Sequence, residues 1–184
     1  LSAPAGSGKT TALINWHRLR GSSQPLAWLS LDKNDNNPVR FWQHIIAALK
    51  TVHVDINEQL PQLFNAPQPP PLEALLLMLA HTISQVTQHF ILVLDDYDVI
   101  HTQAIHDSLA FLLDRLPPQI HIAISSRFDP PLPLSRLRIR GQLKEVRASD
   151  LRFTQEESAI FFNSIMGLRL SQNAINTLVA RTEG

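Results

Sequence analysis

The sequence predicts an α/β chain in three layers, a parallel sheet with helices on both faces, followed by the start of a helical subdomain. Residues 90–94 are an unbroken apolar run of strand length and 120–125 a second segment of buried type, as strands covered on both faces require. Segments of helical periodicity separate them, and from Thr154 onward the pattern is helical without strands. Residues 1–150 therefore read as one α/β domain and 151–184 as the first part of an appended helical subdomain.

Taken in order, residues 8–20 predict a helix with Ala12, Leu13, Trp16 and Leu19 on one face and Gly21 as its stop. Pro25 leads into a strand at 26–31, and the polar run 32–37 is a loop. Asn37-Pro38 is a helix start, because Asn caps the free N–H groups while Pro supplies the φ of the first turn. That helix turns Val39, Trp42, Ile45, Ile46 and Leu49 inward. Residues 51–70, interrupted by Pro61 and ending Ala-Pro-Gln-Pro-Pro, read as a loose surface connection. A helix over 71–87 precedes the strand at 90–94, and a helix over 103–116 ends at Pro117-Pro118 before the strand at 120–125. Another proline break follows at 130–133, then a short turn or helix and a last strand around 143–147. Thr154 and Glu157 have the spacing of a capping box, and helix then runs to the end with one interruption near Gly167.

Composition narrows the function classes. Of the 184 residues 44% are hydrophobic and 17% charged, which suits a buried core. Sixteen Lys and Arg balance sixteen Asp and Glu, so no overall field draws the chain to nucleic acid or an anionic membrane. The longest apolar run, 74–80, is far short of the roughly 18 residues of a membrane span. With no cysteine there is no disulfide, thiolate zinc site or cysteine nucleophile. The start on Leu1 and the abrupt end on Gly184 read as a piece of a longer protein.

Residues 3–10, Ala-Pro-Ala-Gly-Ser-Gly-Lys-Thr, have the spacing of a phosphate-binding loop, with Ala3 where glycine is commonest. Gly6 and Gly8 allow successive N–H groups to face an anion, and the helix that follows adds its positive end. Lys9 can reach β- and γ-phosphates, Thr10 can ligate magnesium, and Thr11 can help hold the α-phosphate. The companion such chemistry needs is an apolar strand ending in aspartate, and 90–94 followed by Asp95-Asp96 supplies it. Asp95 is the candidate for the magnesium side and Asp96 for orienting or deprotonating the attacking water. Arg127, after the next buried strand, stands where it can sense a γ-phosphate, the structural alternative being a surface ion pair with Asp129. Asp32, Asp35 and Arg40 read structurally as an Asx-type turn with a helix cap, the functional alternative being a place near the γ-phosphate. Trp16, Trp28 and Trp42 read as core, and the scattered histidines build no metal site.

These residues, with those at 27–32, 35–41, 92–97, 126–131 and 137–143, resemble the ATPase module of the large MalT-like LuxR-family transcriptional regulators, which belong to the STAND class of P-loop ATPases. The resemblance covers essentially the whole chain and extends through 148–153 and 181–184. It implies a P-loop NTPase fold whose first strand is truncated to Leu1-Ser2, and a nucleotide-driven, low-turnover switch in the cytoplasm using ATP and Mg2+. By position it assigns Gly6, Ser7, Gly8, Lys9, Thr10 and Thr11 to the phosphates, Thr10 and Asp95 to the metal, and Lys9, Asp96 and Arg127 to catalysis. The partners it implies are ATP and ADP, further copies in the full-length protein, and an inducer and promoter DNA bound through regions outside this chain; no membrane is implied. Base preference rests on the resemblance alone, because the residues upstream of the loop that help hold adenine in the family are missing.

Two other classes compete: a scaffold that holds nucleotide without significant hydrolysis, and a small-molecule kinase. Asp96, a carboxylate with no evident structural task, speaks against the scaffold. The kinase lacks clustered arginines between the loop and Asp95. Seven basic residues against three acids at 127–152 suggest a patch facing bound phosphates or a neighbouring copy rather than nucleic acid.

Overall fold

Three strands, β1 (Leu26–Ser30), β2 (Phe90–Asp95) and β3 (Ile120–Ile124), pair in parallel in the order β1-β2-β3. The computed structural model that gives this sheet describes residues 1–19, 24–52, 54, 56, 59–168 and 170–182. Register sets Ser30 beside Asp95 and Leu94 beside Ile124, so the carboxyl ends of the strands share one edge. Residues 1–3 form a stub alongside β3: Ser2 bridges Ser126 in parallel, and Ala3 N–H donates to the Ser126 carbonyl at 3.2 Å. That pairing delivers the chain to the same edge just before Gly6.

Every residue of β2 is buried, as expected of a central strand covered on both faces. On one face Phe90, Leu92 and Leu94 join a core supplied by α2 (Pro38–Lys50), α4 (Leu72–Ser84) and α5 (Gln103–Leu113). Trp42 is its largest fully buried side chain, edge-on to Phe41 and donating from Nε1 to Ser108 Oγ at 3.1 Å. On the other face Ile91 and Val93 meet Leu13 of α1 (Lys9–Leu19), with Leu1, Leu26, Trp28 and Ala123 packed around them.

Four expectations are corrected. On α1 only Leu13 of the anticipated stripe is buried; Trp16 is 36% and Leu19 89% exposed. This side of the sheet gathers a small cluster, which one turn of the helix suffices to cover. Trp16 is thus not core, and the expected stop at Gly21 lies outside the described residues. Residues 51–70 are not a loose connection: Val52, Val54, Ile56, Leu60 and Phe64 are all buried in the main core. Pro61 sits inside α3 (Gln59–Leu63) without breaking it, because a first-turn residue has no intrahelical N–H bond to lose. The strand expected around 143–147 is reduced to a bridge residue at Arg147, and 142–146 run as irregular chain. Residues 142–147, Gln-Leu-Lys-Glu-Val-Arg, offer only two apolar side chains to hold a strand against a core. A short helix, α6 (Leu134–Ile139), follows the proline break.

The described chain divides into two compact units, Leu1–Glu145 and Val146–Gly184. The second holds α7 (Ala148–Leu151), α8 (Gln155–Ile160), a π-helical turn at Phe161–Ile165 and α9 (Gln172–Thr182). Its capping box is formed: Thr154 N–H donates to Glu157 Oε2 at 2.8 Å and Glu157 N–H to Thr154 Oγ1 at 3.2 Å. The hydrogen bond from the Thr154 backbone, then that with its side chain, lowers the Glu157 pKa. Gly167, at φ +67°, ends the turn where the helical pattern breaks.

Candidate functional site

The loop that follows the stub is shaped by two glycines, Gly6 at φ +80° and Gly8 at φ +77°. Nothing lies within 4 Å of the point a Cβ would occupy at either, so the need for glycine is conformational and the space in front of the loop is open. Ser7 Oγ is turned back to donate to the Pro4 carbonyl at 2.7 Å. Lys9 opens α1 and is only 7% exposed. Its ammonium donates to the carbonyls of Ala3 and Pro4, both at 2.9 Å, which holds the charge under the loop's own backbone.

Thr10, one residue on, donates from Oγ1 to Asp95 Oδ2 at 3.1 Å, a contact between residues 85 apart in sequence. Asp95 ends β2 and is 3% exposed. The next residue, Asp96, is exposed and has φ 58° and ψ 42°, the sole non-glycine residue with positive φ among those described. Arg127 follows the bridge at Ser126 and is fixed at both ends by Asp98: its N–H donates to Oδ1 at 3.0 Å and its Nε to Oδ2 at 3.1 Å. The ion pair considered with Asp129 is therefore made with Asp98.

These parts surround an open cavity of about 360 Å3 whose lining includes Gly6, Gly8, Lys9, Thr10, Thr11, Asp96 and Arg127. Ser7 and Asp95, also named from the sequence, are not on its wall; Asp95 lies behind Thr10. A positive loop and helix start thus face an exposed carboxylate and an arginine across one space, an arrangement suited to an anion carrying a divalent ion. The donor set fits magnesium. Thr10 Oγ1 and the Asp95 carboxylate are hard oxygens already in contact. Among the described residues no group of three or more His, Cys, Asp or Glu forms an all-protein metal cage. Magnesium ordinarily binds through one or two protein oxygens plus waters and substrate phosphates.

Three residues escaped the sequence reading. Ser125 bonds to Asp95 and to the Asp96 N–H, Asp98 holds Arg127, and Asn36 ties the loop after β1 to the one after β2. Asn36 Oδ1 accepts from the N–H groups of His101 and Thr102 at 2.6 and 3.1 Å, and its Nδ2 donates to the Val99 carbonyl at 2.8 Å. In sequence each is only a polar residue within two positions of one already named, Ser125 of Arg127, Asp98 of Asp96 and Asn36 of Asp35. Asp32, Asp35 and Arg40 are a cap network, as the structural reading had it. Asp35, 1% exposed, accepts from Asp32 N–H at 2.9 Å and from Arg40 Nε at 3.1 Å. Of the basic patch within the first unit, Arg127 alone among Arg127, Arg136, Arg138 and Arg140 lines the cavity. Arg136 and Arg140 pair with Asp114, and Arg138 with Glu145.

Behind the two aspartates, buried Tyr97 and His106 share a hydrogen bond of 2.9 Å between Oη and Nδ1. Burial raises the Tyr97 pKa and, as the largest cause, lowers that of His106; Asp107 opposes the latter shift and His101 adds to it. A lowered folded value means the unfolded chain binds the proton more readily. The contribution of neutral His106 to stability is full above the ordinary imidazole value of about 6.5 and is lost as pH falls from there through the folded value. We expect thermal unfolding to show a falling midpoint below about pH 6.5, a dependence reduced in His106→Gln; an equal slope in both proteins would assign it elsewhere.

No family model matches the chain. Over its whole length it is 33% identical to the HTH-type transcriptional regulator MalT of Yersinia enterocolitica. It is 34% identical to the proteins of the same name from Serratia proteamaculans and Yersinia pestis. The chain spans 20% of the length of each of these relatives.

Proposed function

From the premise that this chain is a MalT-like regulator segment over its full length, we propose that it is an ATP-binding switch module with slow hydrolysis. The observation that carries this reading is the contact of Thr10 with Asp95 at 3.1 Å, which joins the glycine loop to the strand-end acids around one cavity. In this reading the first unit is a P-loop NTPase fold of the STAND class, and the two elements are its Walker A and Walker B motifs. The unit works in the cytoplasm within a transcription regulator. Its nucleotide state governs self-association, while inducer and promoter DNA are bound by other parts of the protein.

The division of labour follows from position. Backbone N–H groups of residues 6–11 and the Lys9 ammonium take the β- and γ-phosphates, with Thr11 toward the α-phosphate. Lys9 already spends two of its three protons on Ala3 and Pro4, leaving one for a ligand oxygen. Thr10 and Asp95 would hold magnesium, which when bound supplies positive charge against the triphosphate. Asp96 reaches the cavity as a carboxylate able to accept the proton of a water attacking the terminal phosphorus. The bond to the β-phosphate oxygen breaks, giving ADP and phosphate. Arg127, detached from Asp98, can meet the charge on the terminal phosphate.

Titration of the intact protein with a fluorescent ATP analogue tests the reading. Binding should be saturable with magnesium and at least about tenfold weaker in excess chelator, as expected when a metal bridges phosphates and protein. Failure to bind in either condition would refute a nucleotide site. The scaffold alternative shares the binding but predicts that Asp96 is irrelevant to phosphate release.

A further inference from the structure

We propose that Ser125 is a positioning residue for the hydrolytic step, holding Asp95 and Asp96 in one arrangement through a single hydroxyl. This rests on the ATP-hydrolysing reading given above. Ser125 lies just past β3 and is wholly buried, at 0% exposure. It is bonded to four consecutive residues at the end of β2. Its N–H donates to the Leu94 carbonyl at 3.0 Å, and its carbonyl accepts from Tyr97 N–H at 2.8 Å. Between them, Oγ donates to Asp95 Oδ1 and accepts from Asp96 N–H at 3.1 Å.

Both hydroxyl contacts bear on the proposed chemistry. Asp95 Oδ1 is fixed by Ser125 while Oδ2 faces Thr10, so the carboxylate cannot rotate freely about the metal side. Asp96 stands in the left-handed region, where a side chain costs energy and persists only when its surroundings over-determine it. The Ser125 hydroxyl satisfies the N–H of that residue, and the resulting backbone aims the Asp96 side chain at the cavity. A hydroxyl can donate and accept at once, whereas alanine does neither and a thiol does both weakly. The backbone bonds of residue 125 survive either substitution, which separates the hydroxyl's task from that of the strand.

The test compares the intact wild-type protein with Ser125→Ala, Ser125→Cys, Asp96→Asn and Ser125→Ala/Asp96→Asn. Each is assayed for affinity for a fluorescent ATP analogue and for single-turnover hydrolysis of MgATP. Ser125→Ala and Ser125→Cys should lose about 10- to 100-fold in rate, no more than the smallest contribution of a placed proton acceptor because the acceptor itself remains, with affinity within about threefold. On the Asp96→Asn background the Ser125→Ala change should cost clearly less than it does in the wild type, because the part that acts through Asp96 is already gone. Ser125→Cys keeps nearly the native volume and serves if the alanine variant does not fold. Wild-type rates in the single variants, losses that multiply in the double variant, or affinity falling in step with rate would each overturn the proposal. A wild-type protein that binds ATP but does not hydrolyse it, or does neither, overturns the underlying reading instead and this inference with it.

Discussion

Lys9→Ala lowers the affinity of the intact protein for MgATP by about a hundredfold or more. A hydrogen bond to a charged group contributes about 1.5–3 kcal/mol, and a factor of ten in affinity is about 1.4 kcal/mol. On the proposed reading alanine removes the contact to phosphate, and it also removes the two bonds that hold the ammonium under Ala3 and Pro4. Those carbonyls then lose their partner, and the loop that presents its N–H groups to the anion loses its brace. Lys9→Arg does not restore binding, because a planar guanidinium cannot take the place of a compact ammonium in a 7% exposed slot. Equilibrium titration with a fluorescent ATP analogue measures both variants. Near-native affinity in Lys9→Ala would place the nucleotide away from this loop.

Asp96→Asn separates binding from hydrolysis. The amide is close to the carboxylate in size and keeps the backbone bond to Ser125 Oγ, but it cannot accept a proton from water. Single-turnover hydrolysis should fall about 10²- to 10⁴-fold, while affinity for MgATP changes by less than about threefold. An unchanged rate would favour the scaffold alternative.

How far the sequence spoke depended on whether the cause of a structure lay near in the chain. β2 was legible because five successive apolar residues followed by two acids leave few arrangements open to such a strand. The Asn37-Pro38 cap and the Thr154 and Glu157 box were legible because their partners are three residues away. The burial of Val52, Val54, Ile56 and Phe64 was hidden by prolines that signal a loop, although Pro61 stands where helix tolerates it. The strand expected around 143–147 rested on two apolar residues, Leu143 and Val146, among polar and charged ones, too little to hold a ladder. At the site, the loop and the paired acids announce themselves by residue type. Ser125, Asp98 and Asn36 act across 29 to 66 positions, and no periodicity encodes such meetings.

Asn36 has a mechanical consequence. Its side chain and its carbonyl oxygen, which accepts from Thr102 Oγ1 at 2.8 Å, clasp residues 99–102 from the turn that leads into α2. The turn before α2 and the stretch before α5 are thus fastened to each other through one residue, so that neither can be displaced without breaking these bonds.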